Sequence, residues 1–247
     1  MHIRIFITGA SGALGCALAL RLAGPGVSLS LWGRNRPRLD EVAGFCRERG
    51  ANAEVRSLDL SDCDAALAAL HNDDNKGPFD LAFLVAGQGD TLAPGSIVEN
   101  PAQVVRLAQT NFVAPAAMAA ALAARMAARG AGRIGVVGTA AASHSLPFAA
   151  AYSGSKAGLS RYIDALRLAV SRYGVTVTLV SPGFFAGTTP SRPGEISADE
   201  VAGKMIAAVR AGRAELVVPR RFLLLRWFDR LLPRPFRDRL LLSLRAP

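Results

Sequence analysis

His2-Ile-Arg-Ile-Phe-Ile-Thr8-Gly-Ala-Ser-Gly-Ala-Leu-Gly15 carries an apolar, β-branched run into a glycine-rich turn and on into the Ala/Leu-rich residues 13–23. Isoleucine and phenylalanine favour a strand over 2–8, and alanine and leucine favour a helix over 13–23. A strand, a glycine turn and a helix in that order aim backbone N–H groups and a helix N-terminus at a pyrophosphate. Two registers of the turn stay open. Ala13 stands at the middle glycine of Thr-Gly-x-x-x-Gly-x-Gly, whereas Gly12 fits Thr-Gly-x-x-Gly-x-x-Gly.

Outward from that turn, short β-rich runs alternate with longer helical ones. Strands are expected at 27–33, 53–58, 79–86, 132–138, 175–181 and 215–218 in addition to 2–8, and helices at 37–50, 61–71, 101–128, 151–172 and 197–211 besides 13–23. Ser61 and Ser197 precede acidic first turns, Pro101 suits a first helical position, and Gly50, Gly174 and Gly212 suit helix exits. This order predicts an α/β fold: a doubly wound seven-stranded parallel sheet with helices on both faces and its ligand crevice beyond the carboxyl ends of the strands.

The 247 residues suffice for one α/β domain, placed at 1–219, with 220–247 as a C-terminal extension. The net charge of +10 is unevenly spread: eight arginines against two aspartates give 220–247 a net +6, leaving +4 for the preceding 219 residues. A surplus of that size excludes a nucleic-acid footprint on the main domain, so no nucleic-acid partner is expected. Cys16, Cys46 and Cys63 are too scattered for a disulfide framework or a zinc site, and no metal is expected. With neither a leader nor eighteen consecutive apolar residues, the expected location is cytoplasmic.

Tyr152-Ser-Gly-Ser-Lys156 carries the chemistry. On a helix the i, i+4 spacing puts phenol and ammonium on one face, where a cation favours phenolate over phenol. A hydroxyl so tuned can give and take the proton that separates a carbonyl from an alcohol. Asn111, Thr139 and Pro182-Gly183 fall around this pair in a workable order.

With the glycine turn, Asn111, Thr139, Tyr152 and Lys156 together, the chain resembles the short-chain dehydrogenase/reductase family in its common single-domain form, over residues 3 to about 218. The resemblance implies a Rossmann-like fold and a catalytic set: Tyr152 as acid/base, Lys156 tuning it and holding the nicotinamide ribose, Asn111 anchoring a relay water, and Thr139 in the place usually held by Ser. It implies a cofactor set of Thr8, Gly9, Ser11, Gly12, Ala13, Leu14, Gly15, Arg34, Asp59, Leu60, Ala86, Gly87, Tyr152, Lys156, Pro182, Gly183 and Thr188. Val85 departs from the family's Asn-Asn-Ala-Gly, so a side-chain amide no longer braces the central strands. Gly33 stands where an acid would bind the ribose hydroxyls of NAD and Arg34 follows it, so NADP(H) is preferred over NAD(H).

The expected function is NADPH-dependent reduction of a small uncharged, apolar ketone or aldehyde, with Leu92, Leu146, Phe148, Phe184 and Phe185 near the substrate and 184–196 as a lid. A catalytically weak dinucleotide-binding sensor or scaffold is the alternative. A homodimer or homotetramer through the long helices is expected. Two short amphipathic helices broken at Pro233 and Pro235 are expected in 220–247, suited to packing over the core or a subunit, or to the headgroup region of an anionic membrane at its inner face, which would make the substrate lipid-derived.

Overall fold

The computed structural model describes residues 2–183, 185–186, 196–223 and 231–243. Seven strands form the main sheet: β1 (Ile3–Thr8), β2 (Val27–Gly33), β3 (Asn52–Ser57), β4 (Leu81–Leu84), β5 (Gly132–Val137), β6 (Val175–Pro182) and, last in the chain, β9 (Glu215–Val218). All pairings are parallel, in the order β3-β2-β1-β4-β5-β6-β9. The strand order reverses between β1 and β4, and a crevice opens beyond their carboxyl ends. An unforeseen short parallel ladder joins β7 (Phe185–Ala186) to β8 (Ile196–Ser197).

The helices are α1 (Ala13–Leu22), α2 (Arg36–Glu48), α3 (Cys63–Lys76), α4 (Pro101–Ala108), α5 (Ala114–Arg129), α6 (Ala150–Val170), α7 (Ala198–Arg210) and α8 (Arg234–Ser243). Alternation along β1 divides the core. Ile5 and Ile7 join Leu18, Val42 and Met205 from α1, α2 and α7, while Phe6 joins Leu70, Leu122 and Leu159 from α3, α5 and α6. Both faces of β1 are therefore covered, which explains its unbroken apolar run.

Three expected boundaries move for identifiable reasons. Asp62 rather than Ser61 caps α3, its carboxylate accepting the Ala65 N–H at 3.0 Å, and α3 runs to Lys76 instead of residue 71. The single helix expected over 101–128 is interrupted by a π-helical turn at Gln109–Val113, closed by the Ala114 N–H on the Gln109 carbonyl. Pro115 lacks the N–H that an α-helix gives to residue 111, so the backbone widens there. Pro235 does not break α8: it lies in the first turn, where an N–H has no intrahelical partner in any case. The stretch Pro101–Arg129 is long and apolar enough to cross a membrane, but half of its most apolar window is buried inside the fold, as befits a core helix.

Candidate functional site

The glycine turn closes where β1 meets α1. Gly9 has φ +69°, and a Cβ there would stand 2.9 Å from Ala86 Cα; a Cβ on Gly15 would stand 2.2 Å from the Gly9 carbonyl oxygen. Only glycine allows turn, helix and the end of β4 to approach so closely. Ala13 is the first residue of α1 and tolerates a side chain. Beyond the turn lies a cleft of about 820 Å³, lined by Gly9, Ser11 and Gly12 to Gly15 on one side and by Asp59, Leu60, Ala86 and Gly87 on the other. Gly33 and Arg34 form its far end with Asn35 and Arg36. The size, the exposed turn backbone and the helix N-terminus fit a dinucleotide.

Val85 removes the side-chain amide expected to brace β4, and Thr8 supplies a substitute. Its hydroxyl, 1% exposed, accepts from the N–H groups of Val85 at 3.0 Å and Ala86 at 3.2 Å. Thr8 thus fixes the strand ends without lining the cleft.

Gly87 and Val137 line the cleft, and Lys156 and Asn111 lie against them, although none of Asn111, Thr139, Tyr152 and Lys156 itself lines it. Lys156 is buried on α6 and donates from Nζ to the Val137 carbonyl at 2.9 Å. A Cβ on Gly87 would stand 3.1 Å from that Nζ and 3.2 Å from Asn111 Oδ1. Asn111, fully buried in the π turn, clamps residue 88 from both sides: Oδ1 accepts the Gln88 N–H and Nδ2 donates to the Gln88 carbonyl, each at 2.8 Å. Thr139, just past β5, is hydrogen-bonded through its side chain to the Tyr152 hydroxyl.

Burial pushes the Tyr152 phenol above its ordinary range, and the bond with Thr139 offsets part of that rise. Lys156, expected to lower it, has its ammonium turned onto the Val137 carbonyl here. Burial in turn pulls the Lys156 ammonium down to about 8. Asp59 is held below the usual carboxylate range chiefly by the Ser61 N–H, with the Arg34 guanidinium a lesser cause.

A short chain dehydrogenase family model matches residues 4–195. The chain belongs to the short-chain dehydrogenase/reductase family. An uncharacterized oxidoreductase of Myxococcus xanthus is 34% identical over 180 residues, 72% of this chain and 70% of that one. Another, from Streptomyces coelicolor, is 30% identical over 242 residues and spans 96% of this chain and 95% of its own length. Among solved structures, the bulky-bulky ketone specific alcohol dehydrogenase of Comamonas testosteroni shares the fold with a TM-score of 0.80 at 24% identity, covering 99% of this chain and 95% of that one. A Sphingobium yanoikuyae short-chain dehydrogenase in complex with NADPH has a TM-score of 0.79 at 24% identity, covering 99% and 96%. This chain is thus a member of a family of NAD(P)-dependent oxidoreductases.

In this dehydrogenase/reductase Thr139 meets Tyr152, and Asn111 and Lys156 meet about Gly87, while Pro182, the last residue of β6, and Gly183 do not line the cleft. Thr188, Phe184 and most of the expected lid lie outside the described residues. Sequence reasoning passed over Asn35, Arg36 and Thr110, which line the cleft, and Gln88, the partner of Asn111. Asn35 carried a signal: followed by Pro37, it caps α2 by accepting the Arg38 N–H at 3.1 Å. His144 borders a separate hollow of about 440 Å³ with Leu146 and Pro147.

Proposed function

We propose that this dehydrogenase/reductase uses NADPH to reduce an uncharged, apolar ketone or aldehyde to its alcohol. The observation that carries the reading is the hydrogen bond between Thr139 and Tyr152, one helix turn before a buried lysine that bonds to Val137 of the cleft wall. A bound reduced nicotinamide supplies the hydride. Thr139 donates to the substrate oxygen and holds it against Tyr152. Tyr152, protonated at neutral pH as phenols are, gives its proton to the oxygen as charge builds there. Lys156 would hold a ribose hydroxyl of the bound cofactor, and its ammonium, drawn off the Val137 carbonyl in this way, would favour the phenolate left behind. Asn111 holds the floor of the relay by fixing residue 88.

Gly33 and Arg34 support the cofactor choice: no carboxylate ends β2, and Arg34 lines the cleft. Leu92 and Phe148, joined by the Leu92 N–H on the Phe148 carbonyl at 2.8 Å, support an apolar substrate. Val105, Val113 and Leu168 expose apolar surface along α4 to α6, where we place the contact of a homodimer or homotetramer; a monomer by light scattering rejects that contact.

We assign catalysis to 1–219 and surface attachment to 220–247. Phe222 packs its ring over Gly183, so the extension starts beside the end of β6. Leu231, Phe236, Leu240 and Leu242 are exposed next to Arg234 and Arg239, a combination suited to an anionic lipid surface. Self-association through this strongly basic segment would bring like charges together.

The test is NADPH oxidation with a panel of apolar ketones, comparing wild type with Tyr152→Phe. Turnover is expected to fall about 100- to 10,000-fold, with NADPH affinity within a few-fold of wild type. NADPH binding without wild-type turnover across the panel would instead favour a sensor or scaffold.

A further inference from the structure

Helix α6 carries Tyr152 in its first turn, yet its own sequence provides no cap: the preceding Ala149 makes no side-chain bond to the helix and the first turn holds no acid. The cap comes from 52 residues earlier. Glu99 accepts the Ala151 N–H on Oε2 at 2.8 Å, one residue before Tyr152. The next residue, Asn100, caps α4 by accepting the Ala102 N–H at 2.8 Å. α4 runs directly into the π turn that holds Asn111. One dipeptide therefore starts both helices that carry Asn111, Tyr152 and Lys156. The same segment is tied to the substrate side by Asp90 on Arg106 at 2.8 Å and by the Leu92 N–H on Phe148. Among the described residues Glu99 Oε1 is buried with no hydrogen-bond partner, an arrangement that costs stability and that a smaller apolar residue would avoid.

We propose that Glu99 is a positioning residue that sets the first turn of α6, and with it the Tyr152 hydroxyl, relative to the Asn111 helix. The inference rests on Tyr152 being the acid/base. A carboxylate at a helix start satisfies an orphan N–H and matches the helix dipole. Without it the first turn frays, and a displaced phenol is a poor proton donor even when the cofactor binds normally.

Steady-state kinetics and NADPH titration of Glu99→Ala and Glu99→Gln test this. Glu99→Ala should lower kcat about 10- to 100-fold while the NADPH dissociation constant stays within about twofold. Glu99→Gln keeps an oxygen for the Ala151 N–H and should hold kcat within about threefold of wild type. An unchanged kcat in Glu99→Ala overturns the proposal, as does equal loss in both variants or a kcat loss matched by lost NADPH affinity. Should Glu99→Ala fail to fold, Glu99→Asp, which withdraws the carboxylate by one methylene, is read against the same limits. Tyr152→Phe in the same assay separates the two ideas. If it retains turnover, the acid/base assignment fails; if it is inactive while Glu99→Ala is normal, only the role of Glu99 fails.

Discussion

Lys156 shows how much one side chain's surroundings change its chemistry. Buried, it titrates near 8 instead of its ordinary 10.5. Between those values the unfolded chain binds a proton that the folded chain has released, so this lysine makes stability rise with pH through that window. At about 1.4 kcal/mol per unit the gain is about 3 kcal/mol. Lys156→Met lacks the titration: in urea unfolding between pH 7 and pH 10.5, wild type should gain about that much relative to the variant. Identical pH dependence in the two proteins would place the ammonium in water. Arg34 supports the second prediction at this scale. Arg34→Glu sets a carboxylate against a 2′-phosphate, and the ratio of kcat/KM for NADPH over NADH should fall at least about tenfold; an unchanged ratio removes Arg34 from cofactor selection.

Among the elements, α3 and α5 are joined by charge as well as by apolar packing. Asp74, at the end of α3 and 1% exposed in its side chain, accepts the Phe79 N–H at 2.8 Å and pairs with Arg125 and with Arg129 at 3.2 Å. Nearby, Asp73 pairs with Arg56 at 2.6 Å. Asp74→Ala strands the Phe79 N–H and takes the carboxylate from Arg125 and Arg129, which keep only Asn75 and the Phe79 carbonyl, and should cost about 3 kcal/mol in urea unfolding with NADPH binding intact. A loss under about 1 kcal/mol would reduce this network to a surface feature. The π turn belongs to this scale too. Asn111 was legible as a candidate through the family resemblance, and Pro115 was visible, but only packing of α4 and α5 against α6 showed that the helix widens at Asn111.

For the whole molecule, the sheet is complete at Val218, and within α8 only Leu241 is buried. A chain ending at Leu223 should therefore fold, bind NADPH and reduce a soluble ketone as wild type does. Full-length protein should sediment with vesicles containing phosphatidylserine and stay in solution with phosphatidylcholine alone, and the shortened chain should remain soluble with both. Equal sedimentation of the two chains with anionic vesicles would end the membrane reading.

Helix phases and the glycine turn were readable along the chain because each follows from neighbours a few residues apart: period-2 or period-3.6 burial, caps, and glycines at positive φ such as Gly50 and Gly174; the order of strands across the sheet was not, because it pairs segments far apart in sequence. Tyr152 and Lys156 were legible from their i, i+4 spacing, whereas Asn111 and Thr139, 41 and 13 residues before Tyr152, were legible through the family resemblance. What depended on folding was set by contacts far apart in sequence. Thr8 bracing the β4 end, Lys156 turned to Val137, Tyr152 raised by burial and Glu99 capping a helix 52 residues away all join segments that no local pattern relates. Desolvation and long-range hydrogen bonding exist only once the sheet has brought those segments together.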